Sequence, residues 1–97
     1  MKMEMENPNW PPTPEQLRTK CLGEIADVVY RDHRKQGKQI YFAAAAHLSA
    51  MQSLRDVRDN YGADSGQSII AYFLCNAAQW RGPVARIVKA ELKRRIK

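Results

Sequence analysis

Apolar residues recur along most of this chain with the period of an α-helix, and no stretch alternates as a strand would. The first predicted helix opens at Thr13, a good N-cap, with Pro14 at the first helical position and Gln16 completing a capping-box spacing. Leu17, Cys21, Ile25 and Val28/Val29 fall on one stripe, and Gly37 is the expected stop. A second helix is predicted from Gln39 to Tyr61, burying Ala44, Leu48, Met51, Leu54, Val57 and Tyr61, with Gly62 as its cap. Its run Ala43–Ala46 would let a neighbouring helix, or a second copy in a homodimer, approach closely. Asp64 and Gln67 repeat the capping-box spacing and open a third helix. This one is apolar nearly all round through Trp80, so it is expected at the centre of the fold. Arg81-Gly82-Pro83 forces a stop and restart. The fourth helix then carries Val84, Ile87, Val88, Leu92 and Ile96 on one stripe and Arg86, Lys89, Lys93 and Lys97 on another.

Ahead of these helices, residues 1–12 hold three prolines and no apolar period, which predicts a disordered or extended N-terminal arm with Trp10 as its one large apolar group. The expected architecture is all-α: a compact bundle of about four helices forming a single domain over residues 13–97. A chain of 97 residues is one domain in length, and its 44% hydrophobic and 27% charged residues are globular values.

Charge is unevenly spread. The formal net charge is +6, and the segment Arg81–Lys97 alone sums to that value. A smaller excess lies in Arg31, Arg34, Lys35 and Lys38, offset there only by Asp32. Clustered cation on an otherwise balanced chain points to an anionic partner. A solvated helix end, with cations complementing the helix dipole, accounts for the same pattern without any partner.

Catalytic and metal chemistry find little support in the residue spacing. Cys21, His33, His47 and Cys75 are scattered, whereas a zinc or redox pair needs close spacing. Both cysteines fall on stretches expected to be buried, and read as small core residues in a reducing compartment. His33 sits among cations that disfavour its protonation, and His47 among alanines, as a packing residue. Glu24 with Asp27, and Asp56 with Asp59, look like surface ion-pair ladders. No glycine loop cradles a phosphate. The expectation is a non-enzymatic protein with no cofactor and no metal. The longest charge-free runs, Gln39–Leu54 and Ser65–Trp80, have 16 residues each, short of the ~20 a membrane span needs. No charged-then-apolar leader opens the chain, so a cytoplasmic protein with no membrane partner is expected.

Two functions from different classes remain. The first is electrostatic contact with nucleic acid or a nucleoprotein through Arg86, Lys89, Lys93, Arg94 and Lys97. Arg31, Arg34, Lys35 and Lys38 would add a second contact if the ends of the first and last helices meet. The exposed face of the last helix has no Asn or Gln to read adenine, so phosphate contact is expected rather than sequence readout. Tyr30, Tyr41, Phe42 and Tyr72 occupy or border core stripes and do not suggest a base-stacking platform. The second function is a protein-interaction module, an inhibitor or adaptor anchored by Trp10, Tyr41, Trp80 and Arg81. Its size and composition are in the style of phage and plasmid accessory proteins acting on host nucleoprotein or defence machines.

Overall fold

The computed structural model describes residues 10–97, so the N-terminal arm expected over residues 1–12 lies outside it except for Trp10, Pro11 and Pro12. The described residues form five helices: α1 (Pro14–Arg18), α2 (Leu22–Gln36), α3 (Phe42–Met51), α4 (Gly66–Cys75) and α5 (Pro83–Arg95). A small antiparallel pair, β1 (Asn60–Tyr61) with β2 (Asp64–Ser65), joins α3 to α4. The radius of gyration, 12.9 Å, is close to the roughly 12.5 Å expected of a compact chain this long. The all-α expectation is met. No helix among the described residues is long and apolar enough to cross a membrane.

The first helix starts as its sequence predicts. Gln16 N donates to Thr13 Oγ1 at 3.1 Å, and Thr13 N donates to Gln16 Oε1 at 3.0 Å. It then breaks after Arg18, where the sequence predicted continuation to Gly37. Several backbone groups at the break find partners far along the chain. Arg95 Nη2 donates to the carbonyls of Leu17, Arg18 and Lys20 at 2.9, 3.2 and 2.9 Å, capping α1. At the start of α2, the amides of Leu22 and Gly23 donate to the carbonyls of Arg55 and Leu54, and Cys21 N donates to Glu24 Oε1 at 2.9 Å. Gly37, at φ 69°, ends α2 as expected.

The second predicted helix is shorter than its apolar pattern implied, because Asp56 and Asp59 act as turn formers. Asp59 Oδ2 accepts from the amides of Arg55 and Asp56, and Asp56 Oδ1 accepts from Arg58 N. Short polar side chains that bond nearby amides compete with helix geometry. Only the exposed Asp56–Arg58 pair, at 3.3 Å, survives of the expected ladder. Gly62 lies in the β1–β2 turn, outside any helix.

The third predicted helix, now α4, is capped by Ser65 Oγ, which accepts from Ser68 N at 3.1 Å. It buries Ile69, Ile70 and Phe73 but leaves Cys75 exposed and Tyr72 56% exposed. An apolar composition all round therefore did not mean enclosure all round, and Cys75 is not the core residue expected. The longer buried stripe belongs to α2, with Leu22, Ile25, Ala26, Val28 and Val29, packed on α3 and α5.

Close approach of the loop after α3 requires Gly23. A Cβ there would stand 2.7 Å from Gln52 O, backbone that cannot swing aside. Gly23→Ala is expected to lower stability by about 1–3 kcal/mol through this overlap. Urea denaturation checks it, and an unchanged midpoint would contradict the packing described.

Candidate nucleic-acid interface

The basic residues are sorted by what surrounds them. On α5 the outward side carries Arg86, Lys93 and Arg94, all exposed, along with Ala90, and Lys97 is exposed two residues past the helix end. Its one acid, Glu91, is turned inward and 6% exposed. Glu91 Oε2 accepts from Arg94 Nη2 and Arg95 Nε at 2.6 Å each, and Oε1 accepts from Arg94 Nε at 3.1 Å. Burial alone would raise the Glu91 carboxyl, but the hydrogen bonds from Arg94 and Arg95 outweigh it and hold the group below its ordinary value. The outward side of α5 is therefore cationic with no acid of its own.

Two of the predicted contact residues do structural work. Lys89 is half-buried, donates from Nζ to Trp80 O at 2.7 Å and lies 5.9 Å from the Trp80 ring centroid. Burial, with Lys93 and Arg81 nearby, holds its ammonium below the ordinary lysine value. It is thus held away from the outward stripe. Arg31 is also half-buried, its guanidinium 5.2 Å from the Trp10 ring centroid. Lys35 is 5.5 Å from the same ring, so Trp10 is pinned against α2 by two cations. Arg34, Lys35 and Lys38 are exposed.

The ends of the first and last predicted helices do meet, but head to tail. Gln36 Nε2, at the end of α2, donates to Arg81 O at 3.0 Å. The cluster of Arg34, Lys35 and Lys38 therefore adjoins Arg81 at the start of α5. Lys93 and Lys97 sit at the other end, where α5 packs on α1.

Trp80 is no surface anchor. It is 5% exposed, its ring stacks on His33 with centroids 5.3 Å apart, and Nε1 donates to Asp32 Oδ2 at 2.8 Å. Asp32, expected to offset surface cations, is buried and also accepts from Gln36 Nε2 at 2.7 Å. His33 is buried as well and makes a 2.8 Å bond from Nδ1 to Val29 O, which places its proton on Nδ1. His47 stacks on Tyr72 at 5.3 Å. Tyr41 and Arg81 are exposed. Among the described residues no group of three or more His, Cys, Asp or Glu side chains is placed to hold a metal ion.

Sequence reasoning missed Arg95, Asp32 and Gln36 as organising residues. A carboxylate four residues before Arg95 on the same helix was the available signal. No family model matches the chain, and neither a curated protein nor a solved structure matches it.

Because Glu91 has a lowered carboxyl when folded, its contribution is present above the ordinary glutamate value and is lost as pH falls through the folded one. Glu91→Gln is expected to cost about 2 kcal/mol near neutral pH and less near about pH 3, below the ordinary glutamate value. Paired denaturation curves at the two pH values check this; an equal difference at both would contradict it.

Proposed function

We propose that this protein is a non-enzymatic, polyanion-binding module that contacts nucleic acid, alone or in a nucleoprotein, through the outward side of α5. One observation carries the reading: that side presents Arg86, Lys93, Arg94 and Lys97, while the helix's only acid is buried beneath them. From Arg86 to Arg95 the helix rises about 14 Å, and Lys97 follows just past its end, so several phosphates fall within reach. Arg81, with Arg34 and Lys38 beside it, extends the footprint at the start of α5. The outward side of α5 carries no Asn or Gln to read adenine, which supports contact with phosphates over adenine readout. Two unpaired cysteines suit a reducing, cytoplasmic setting.

The adaptor or inhibitor reading is weaker on these contacts. Of its four anchors, Trp80 is buried and Trp10 is held by Arg31 and Lys35, leaving Tyr41 and Arg81.

Fluorescence anisotropy with labelled duplex DNA across a salt series is expected to give a log–log slope of about −3, from three to four phosphates. Arg86, Lys93 and Lys97 replaced together by Glu should weaken binding at least about 100-fold while the fold is kept. Lys89→Ala should do the converse, lowering the melting temperature by about 5 °C with the slope unchanged. Wild-type affinity in the triple variant, or no binding at about 50 mM salt, would overturn the reading.

A further inference from the structure

Where the segment after α2, the start of α3 and the end of α4 meet, the fold leaves a partly enclosed cavity of about 160 Å³. Phe73 and Trp80, both buried, give it an aromatic floor, and the half-exposed Tyr41 gives it a wall. An apolar cavity of about 150 Å³ holds one benzene ring, so this space takes a single six-membered ring and not a fused pair.

The polar groups of the cavity narrow the choice of ring. Gln39, Asn76 and Gln79 bring three primary amides to it. Asn76 Nδ2 donates to Tyr72 O at 3.0 Å, which leaves Asn76 Oδ1 to accept. The side-chain amides of Gln39 and Gln79 have no hydrogen-bond partner among the described residues. His33, buried, lines the same space. With its Nδ1 proton given to Val29 O, Nε2 is an acceptor that has no partner among the described residues yet stays open to solvent. A ring without polar edges would strip water from these groups and leave them unpaired. A pyrimidine has the complement they need: carbonyl oxygen for the glutamine amides, and a ring N–H or exocyclic amine for Asn76 Oδ1 or His33 Nε2. A phenyl ring has neither, and a phenol has one hydroxyl.

Charge points the same way. Lys38 lines the cavity and is exposed, and no acid is among the lining residues. Arg34 and Arg81, the chain neighbours of His33 and Trp80, are exposed as well. The opening is therefore cationic, suited to a phosphate carried on the ring's sugar. We propose that this cavity binds a pyrimidine nucleotide, with the ring inside against the aromatic floor and the phosphate at Lys38. A free nucleotide and an unpaired nucleotide in a strand carry this same chemistry, whereas a paired, stacked base in a duplex does not enter. The site lies off the outward side of α5 and does not rest on the polyanion reading. Uridine, which has no phosphate, is expected to bind whether or not α5 holds a polyanion.

Isothermal titration calorimetry of the full chain with uridine monophosphate (UMP), uridine and AMP, in about 0.1 M salt, tests it. UMP is expected to bind with a Kd on the order of 50 µM, usual for a ligand of its size. AMP, whose fused ring overfills the cavity, should bind at least about 10-fold more weakly. Gln79→Leu should weaken UMP and uridine alike by about 10-fold, since it removes an amide that meets the ring. Lys38→Ala should weaken UMP about 5-fold and leave uridine unchanged, because only UMP carries a phosphate. Gln79 and Lys38 are exposed, so both variants should keep their helical circular dichroism. Octauridylate then separates the two sources at about 0.5 M salt, where backbone contacts are screened. Displacement of UMP by it would support an unpaired strand as the source, and UMP left in place would support the free nucleotide. No UMP binding at about 1 mM, AMP as tight as UMP, or wild-type affinity in Gln79→Leu would overturn the proposal.

Discussion

The hydrogen bond from Trp80 Nε1 to Asp32 Oδ2 ties together parts of the chain 48 residues apart, and much of the structure hangs from it. Asp32 also accepts from Gln36, which in turn holds the Arg81 carbonyl, while Lys89 holds the Trp80 carbonyl. Four side chains thus anchor the turn between α4 and α5, and His33 stacks on the indole. A buried carboxylate is costly unless hydrogen-bonded, so this arrangement tolerates little displacement. It sets where α5 departs and therefore which of its sides faces water.

At the opposite end, Glu91 and Arg95 play the corresponding part for α1. Asp32, one of three acids on α2, and Glu91, the one acid on α5, are both turned inward. Glu91 pairs with Arg94 and Arg95, which leaves Arg86, Lys93 and Lys97 as exposed cations. Arg94 and Arg95 show the other side of this sorting: one pairs with Glu91 while still exposed, and the other is drawn in to cap α1. Charge-free α3 and α4 complete the pattern, giving one uncharged aromatic side and one basic edge.

Several local signals in the sequence were read correctly, although the Asp64–Gln67 box was not, since Ser65 caps α4 through Ser68 N. The Thr13–Gln16 box, the Gly37 stop, the Pro83 start and the apolar stripe of α5 all involve residues within one or two turns. The α1–α2 break was not legible because its compensation comes from Arg95 and from the loop at Leu54 and Arg55. The length of α3 was overestimated because Asp56 and Asp59 bond backbone amides, which a hydrophobic period does not register. For the candidate interface, Arg86, Lys93 and Lys97 lie outward, as the stripe implied. Lys89 shares their spacing, yet one side chain of the stripe reaches back to a carbonyl nine residues away, and nothing in a helical period marks which.

The central claim is that burial of the acids leaves the outward side of α5 as the polyanion-binding surface. Amide chemical-shift mapping of the labelled protein, titrated with a short duplex oligonucleotide at low salt, tests it most directly. The account predicts shifts concentrated at Arg86, Lys93, Lys97 and their neighbours, with Arg81 next and α3 unmoved. Shifts concentrated on α3 and α4, or none anywhere, would contradict it.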